Sequence, residues 1–358
     1  MKDKLTDANF PRTADNRVYH LGLRPGEIAN RIVTVGSPSR ALTIATHFDE
    51  EPKKFRLVSE RGFQTITGRY KGVPVSVISI GMGAPNMDFF VREARESIAG
   101  DMVIIRLGSC GSLNYTSAPV GTVVVPKACV SITRNVDFDF GSSNDEHIEE
   151  KAYRISRPVS DDLQLHQLIV SSLEKARALE DESKIVGDLV NASADSFYSS
   201  QGRLTSFPDH NAHLVEELLQ QIDNLGTLEM ETHHLYHLAK CWNNRPNQAF
   251  TDPNLDHTGP PLTTGPVRPV TLTSSPSGVT SDNAPIPATI MDSKIHVSAA
   301  QIVFAARTSA DRDFITPERV QAIEEWGGKG VLEALIAYHV PIERLHPEKG
   351  SVWSMQNV

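Results

Sequence analysis

The chain has no excess of basic residues: 35 lysines and arginines stand against 44 aspartates and glutamates, for a net charge of −9. Nucleic-acid and anionic-membrane surfaces are built from basic footprints, so neither partner is expected, and any anion site has to be a local cluster of arginines. Cysteine is scarce. Cys110, Cys129 and Cys241 are widely spaced and odd in number, which fits reduced thiols better than a disulfide framework. No stretch reaches the roughly eighteen apolar residues of a membrane span, and Met1-Lys2-Asp3-Lys4-Leu5 does not open a signal peptide. The expectation is a soluble, cytoplasmic protein. Also missing are a G-x-G-x-x-G fingerprint and a Walker loop, which argues against NAD and ATP.

What is present is an alternation of strand-like and helical patterns. Strands are expected at Arg31–Val35, Gln64–Tyr70, Pro74–Ile80, Met102–Leu107, Gly121–Val125, Lys184–Asn191 and Ile295–Ala306. Several hold continuous β-branched runs, such as Val103-Ile104-Ile105 and Val123-Val124-Val125, as strands buried on both faces do. Between them, Met87, Phe90, Val91, Ala94 and Ile98 recur at helical spacing. So do Leu163, Leu165, Leu168, Ile169 and Leu173, behind Asp161-Asp162 where a helix would start. A last helix is expected from Pro317 to about His339, interrupted at Gly327-Gly328. The fold class is α/β, a single-domain sandwich around a mainly parallel or mixed sheet. The segment 243–292 breaks the pattern with nine prolines and one aromatic, Phe250. Such a composition supplies little core, so it reads as a surface insertion within one domain spanning 1–358.

Chemistry concentrates in a few places. Gly36-Ser37-Pro38-Ser39-Arg40, Gly81-Met82-Gly83 and Gly108-Ser109-Cys110-Gly111 read as glycine turns after strands, where backbone N–H groups can approach an anion. They are also common connectors. Arg106 lies inside an apolar strand, a costly position unless an anion pairs with it; a bound ligand or a salt bridge to Glu93 or Glu231 would serve. Glu229 and Glu231 are too close in sequence to flank one scissile bond, and suit either sugar hydroxyls or a helix N-terminus. His233, His234 and His237 offer two positions at i and i+4 but no third ligand, so no metal site is expected. The segment Phe197–Arg203 places an aromatic ring before Gln201 and Arg203. A glutamine amide can donate to one carbonyl and accept from a neighbouring N–H, and arginine donates through a planar fork. Together they match the edge of a pyrimidine.

With these residues in place, the chain resembles the uridine phosphorylase branch of the nucleoside phosphorylase-I family. The resemblance runs from Val18-Tyr19-His20-Leu21-Gly22-Leu23 through Arg307-Thr308, with the insertion as its main interruption. It implies one α/β domain around a mixed, distorted, barrel-like sheet, assembled into dimers or hexamers with the homodimer as the smallest active unit. It implies reversible phosphorolysis of uridine to uracil and ribose 1-phosphate, with inorganic phosphate as co-substrate and no cofactor. Carried over by motif, Gly36, Arg40, Arg106 and Ser109 resemble the phosphate site, joined by Arg61 from a neighbouring subunit. His20, crossing the same interface, together with Ser109, Met230 and Glu231, resembles the ribose contacts. Phe197, Gln201, Arg203 and Arg307 resemble the uracil pocket. Arg106, Gln201 and Arg203 are the implied catalytic set.

Departures accompany the likeness. Ser37 stands where many bacterial members carry Asp. Gly62 replaces a Glu that helps hold a monovalent cation in some of them, so no such ion is expected. Phe304 is expected near the base pocket. Competing readings are a water-using nucleosidase, a purine-directed phosphorylase, and a nucleoside-binding protein without activity. The arginine set favours phosphate over water, and Gln201 with Arg203 favours uracil over purine.

Overall fold

The β-branched runs form the centre of the molecule: Val103, Ile104, Ile105, Val123, Val124 and Val125 are fully buried. The computed structural model describes residues 5–141, 150–245, 292–308 and 313–355. A two-stranded ribbon, β1 (Leu5–Thr6) and β2 (Arg12–Thr13), precedes the main sheet. The first half then runs β3 (Arg31–Val35), α1 (Pro38–Ala45), β4 (Phe55–Val58), β5 (Gln64–Tyr70), β6 (Val73–Ser79), α2 (Ala84–Arg95) and β7 (Met102–Ser112). Next come β8 (Val123–Val124), β9 (Ala128–Arg134), β10 (Tyr153–Ile155), β11 (Val159–Ser160) and α3 (Leu163–Ala176). β12 (Ile185–Val186), β13 (Val190–Ala194), α4 (Leu214–Gln221), β14 (Leu225–Glu229) and α5 (Thr232–Asn243) follow. The last two are β15 (Ile295–Ala306) and α6 (Pro317–Ala337).

The sheet is mixed and open. Its main path is β10-β9-β13-β14-β7-β3-β6-β5-β4, and β15 pairs with β7 in parallel from Ile295↔Met102 to Ala306↔Ser112. Side chains on a strand alternate between faces, and β7 shows the consequence. Val103, Ile105 and Leu107 join the core under α1, α3 and α6, while Met102 and Ile104 join the core under α2 and α5. Arg106 shares the parity of the second set and so faces the α2/α5 side.

Three expectations need correction. The stretch Gly108-Ser109-Cys110-Gly111 is not a turn but the second half of β7. Pairing with β15 along its whole length keeps it extended, and its glycines make room for arginines. A β-carbon on Gly108 would lie 3.3 Å from Arg106 Nε, and one on Gly111 would lie 2.9 Å from Arg307 Cγ. The expected strand at Lys184–Asn191 is two strands, because β12 pairs with β8 whereas β13 pairs with β9 and β14. Helix α6 continues through Gly327-Gly328 without a break. A β-carbon on Gly328 would lie 3.0 Å from Ile44 Cγ1 and one on Gly330 2.8 Å from Leu173 Cδ2, so close packing of α1 and α3 accounts for small residues there.

Helix α5 ends and β15 begins beside one another. The Asn243 side chain donates to Ile295 O and accepts from Ile295 N, both at 2.9 Å. Most of the expected insertion, residues 246–291, lies outside the described residues.

Candidate active site

The site follows from how strands end. β3 runs parallel to β7 and its last pair is Thr34↔Arg106; β14 runs antiparallel and its last pair is Leu228↔Gly111. Their carboxyl ends therefore meet over Leu107–Cys110. β6, parallel to β3, and β13, parallel to β14, bring two more strand ends to the same place. A crevice outside converging carboxyl ends is where open α/β sheets bind ligands.

At its centre Arg106 donates through Nη2 to Glu231 Oε2, and both side chains are buried. Of the two carboxylates considered for Arg106, Glu231 and not Glu93 is the partner, and Arg106 Nε lies 3.8 Å from Glu229 Oε2. Among the described residues Arg106 Nε and Nη1 have no hydrogen-bond partner. Glu231 Oε1 accepts the Gly83 N–H at 2.6 Å, which ties the turn after β6 to the start of α5. Burial holds the Glu231 carboxyl above its usual range, against the lowering effect of Arg106. Glu229 has other hydrogen-bond partners. It accepts from Asn191 Nδ2 at 2.8 Å, from Ser193, from Glu231 N at 2.9 Å and from Thr232 Oγ1 at 2.8 Å. It anchors the first turn of α5.

Arg40 is also committed to a carboxylate. It donates to Glu324 Oε1 at 2.7 Å and to Leu107 O at 3.2 Å, and lies 5.8 Å from the Phe304 ring centre. Phe304 packs against the core under α1 and α6. Ser37 caps α1 by accepting the Arg40 N–H, so Gly36 and a helix N-terminus face the strand ends. Ser109 stands partly exposed on β7 between the ends of β3 and β14.

Beyond β13, residues 199–201 form a 3₁₀ turn that buries Gln201. Arg203 donates to Gln201 Oε1 and to Phe197 O at 2.6 Å. Its guanidinium lies 3.7 Å over the Phe197 ring, so that face of the aromatic is occupied by arginine and not open to a base. Arg307, at the end of β15, donates to Gln201 O at 2.8 Å, while its Nη1 has no partner among the described residues. Burial, with the nearby charge of Arg307 adding to it, lowers the Arg203 pKa to about 10. Two guanidinium groups thus face one region with no carboxylate paired to either among the described residues, which favours an electron-rich ligand edge there.

His20 and Arg61 stand apart. The His20 ring stacks on Phe89 at 3.8 Å and its Nδ1 lies 2.6 Å from Glu93 Oε1, which also accepts the His20 N–H at 2.9 Å. Arg61 lies over the Tyr19 ring and donates to its hydroxyl. Neither of them contacts Arg40, Arg106, Glu231 or Gln201 through the hydrogen bonds and ring contacts of the described residues. Glu93, considered above only as a partner for Arg106, serves His20 instead. A charged residue within the buried face of Phe90, Val91 and Ala94 was the available signal. Gly83, whose N–H holds Glu231, had none beyond its turn.

His233 and His237 stack face to face at 5.7 Å on α5. Burial, reinforced by the neighbouring histidines, pushes the His233 pKa down to about 4, and burial does the same to His346. A base whose folded pKa lies below its unfolded value leaves the unfolded chain binding more protons in between. Their stabilising effect is therefore present above the unfolded value of 6.5 and is lost as pH falls through about 4. Urea unfolding across that window should show a falling midpoint, and His233→Gln should flatten the slope. An unchanged slope would show that His233 is not buried as a neutral ring.

Comparisons with known proteins place the chain in a family. A sequence model described as the Phosphorylase superfamily matches residues 30–243. A uridine phosphorylase of Thermococcus kodakarensis is 30% identical over 245 residues, 68% of this chain and 79% of the relative. A DeoD-type purine nucleoside phosphorylase of Oceanobacillus iheyensis is 32% identical over 222 residues, 62% of this chain and 80% of the relative. Among solved structures, a uridine phosphorylase of the oomycete Phytophthora capsici superposes with a TM-score of 0.74 at 35% identity, covering 94% of this chain and all of that one. A Trypanosoma brucei nucleoside phosphorylase shares the fold at a TM-score of 0.64 and 20% identity, over 92% of this chain and all of that one.

Proposed function

The chain belongs to the phosphorylase superfamily and is an enzyme of the nucleoside phosphorylase family, and on that premise we propose that it catalyses the reversible phosphorolysis of uridine. The observation that carries the choice of base is the group Gln201, Arg203 and Arg307 beside the end of β14. With Gln201 Oε1 turned to Arg203, the Gln201 amide N–H groups are left to donate to a uracil carbonyl. The second lone pair of Oε1 accepts the ring N–H. Uridine phosphorylases among the relatives and solved structures support the same reading.

In the reaction, a phosphate oxygen forms a bond to C1′ of the ribose as the bond from C1′ to N1 of uracil breaks. The electron pair goes to the uracil ring, and the proton that hydrogen phosphate gives up on forming the ester passes, directly or through water, to the ring to give free uracil. Arg203 and Arg307 meet that charge as it develops, an interaction stronger in the transition state than in the ground state. Gly36, Arg40, Arg106, Ser109 and Arg61 of a neighbouring subunit bind phosphate. The carboxylates on Arg40 and Arg106 orient the guanidinium groups, so part of the rate comes from positioning. Met230, Glu231 and Ser109 bind the ribose hydroxyls, and His20 of a neighbouring subunit reaches the 5′-hydroxyl. No helix among the described residues is long and apolar enough to cross a membrane; a cytoplasmic homo-oligomer is the assembly proposed.

Uracil release from uridine should require phosphate or arsenate. Equal rates in phosphate-free buffer would make the enzyme a nucleosidase, and inosine turning over as fast as uridine would move it toward the purine-directed relatives. Gln201→Ala should lower kcat/KM for uridine by roughly 10–10³-fold, because a buried amide paired to the base is lost. A loss confined to thermal stability, with kcat/KM unchanged in the folded fraction, would remove Gln201 from the base pocket.

A further inference from the structure

At the opposite end of β3 from Gly36 lies a cavity of about 500 Å³ that the reaction above does not use. Its walls include Asn30, Pro74, Ala99, Leu345 and Trp353, and its rim carries Glu343 and Glu348. Arg31, the first residue of β3, lines it and is 8% exposed. β3 has five residues at about 3.3 Å each, which places Arg31 roughly 15 Å from the Gly36 end.

The arginine is unusual in what it lacks. Arg40, Arg69 and Arg106, all buried, each pair with a carboxylate of the chain, and Arg95, also buried and without an ion pair of that kind among the described residues, has the charges of Glu96 and Asp101 near it. Arg31 makes one hydrogen bond, from Nη2 to the Tyr338 carbonyl at 3.3 Å, and among the described residues its buried Nε has no partner. Burial lowers its pKa, and among the described residues no carboxylate lies close enough to offset the effect. A buried guanidinium with so little compensation is costly, and an anion taken up from solution would supply what the chain does not.

The remaining lining narrows the anion. His346 also faces the cavity, and its Nδ1 accepts the Ala99 N–H at 3.0 Å, so its ring proton sits on Nε2. It offers a neutral donor and not a second positive charge. Arg31 is the one arginine or lysine among the described lining residues, Glu348 at the rim is already paired with Arg69, and Glu343 adds a negative charge, so a phosphate monoester or polyphosphate finds one guanidinium for two or more charges. A carboxylate carries one charge and fits a guanidinium fork in two parallel hydrogen bonds. Pro74, Ala99, Leu345 and Trp353 then contact an apolar or aromatic body, within the size range of small-molecule pockets. We propose that this cavity is a binding site for a small monocarboxylate with an apolar body, held by Arg31 and the His346 N–H. The site is independent of the nucleoside reading.

Benzoate is a suitable probe and benzyl alcohol its uncharged counterpart. Both are titrated calorimetrically into the full chain with phosphate present in excess, so that an anion entering at the other end of β3 meets competition. Benzoate should saturate at one per chain and bind at least about tenfold tighter than benzyl alcohol. Arg31→Met, which keeps the stem volume and removes the charge, should abolish that preference. Should Arg31→Met fail to fold, Leu345→Trp fills the cavity with Arg31 intact and should weaken benzoate by about tenfold or more. Equal binding of the two probes, benzoate affinity unchanged in the folded variants, or no saturation up to about 20 mM would each overturn the proposal.

Discussion

Arg106→Ala is expected to lower kcat/KM for uridine by about 10²–10⁴, the loss of several kcal/mol of charge-assisted contact to phosphate at about 1.4 kcal/mol per tenfold. The same change should weaken the fold, because Glu231 would stay buried without its cation; breaking one side of such a pair costs about 3–5 kcal/mol. The two effects separate through a third. Glu231 already has a raised carboxyl pKa, and Arg106 is the charge that opposes the rise. Without Arg106 the folded pKa rises further. Stability tied to a raised folded pKa is present below the unfolded value and is lost as pH rises through the folded one. Arg106→Ala should therefore lose more stability at neutral pH than at acid pH, a bias that Glu231→Gln removes. If the folded variant keeps kcat/KM within about fivefold of the parent, Arg106 is a structural partner of Glu231 and does not hold phosphate.

The second large effect concerns sharing of the site. Mixing an Arg106→Ala chain with a His20→Ala/Arg61→Ala chain should restore activity after subunit exchange. In a mixed dimer one pocket collects both defects and the other collects none, so activity approaches half the parent value per mixed dimer. A two-fold interface makes this reciprocity necessary. The placement of His20 supports the expectation. It is held by Glu93, nine residues beyond Ala84 at the start of α2, which at 1.5 Å per residue is about 13 Å from the turn where Gly83 meets Glu231. A chain's own His20 is thus held at the other end of α2 from the turn that meets Glu231, the partner of its own Arg106. No recovery after verified exchange would mean that each subunit carries a complete site.

Much of this was legible before any coordinates. β-branched runs and three-four spacing are local signals, and Arg31–Val35, Gln64–Tyr70 and Ile295–Ala306 appear as strands with the same bounds. The Asp162 start of α3 was equally readable, because capping depends on neighbours in sequence. The residue types of the site were also visible: an arginine in an apolar strand, an amide and a guanidinium beside an aromatic, a pair of acids before a helix. Their partners were not. The acidic groups Glu93, Glu229 and Glu231 all lie on one side of the sheet, and only packing sends the first to His20, the second to the start of α5 and the third to Arg106. Glycine at 108 and 111 reads locally as a turn, yet β15 arrives from nearly two hundred residues later and holds it as strand, with Arg106 and Arg307 filling the space where side chains would stand. Arg203 over Phe197 is the same lesson at the base pocket. Sequence determines which groups are available and what local backbone they prefer. Which charge meets which depends on strand register and helix packing, because a desolvated ion takes the counter-charge that the fold brings near, whatever its distance along the chain.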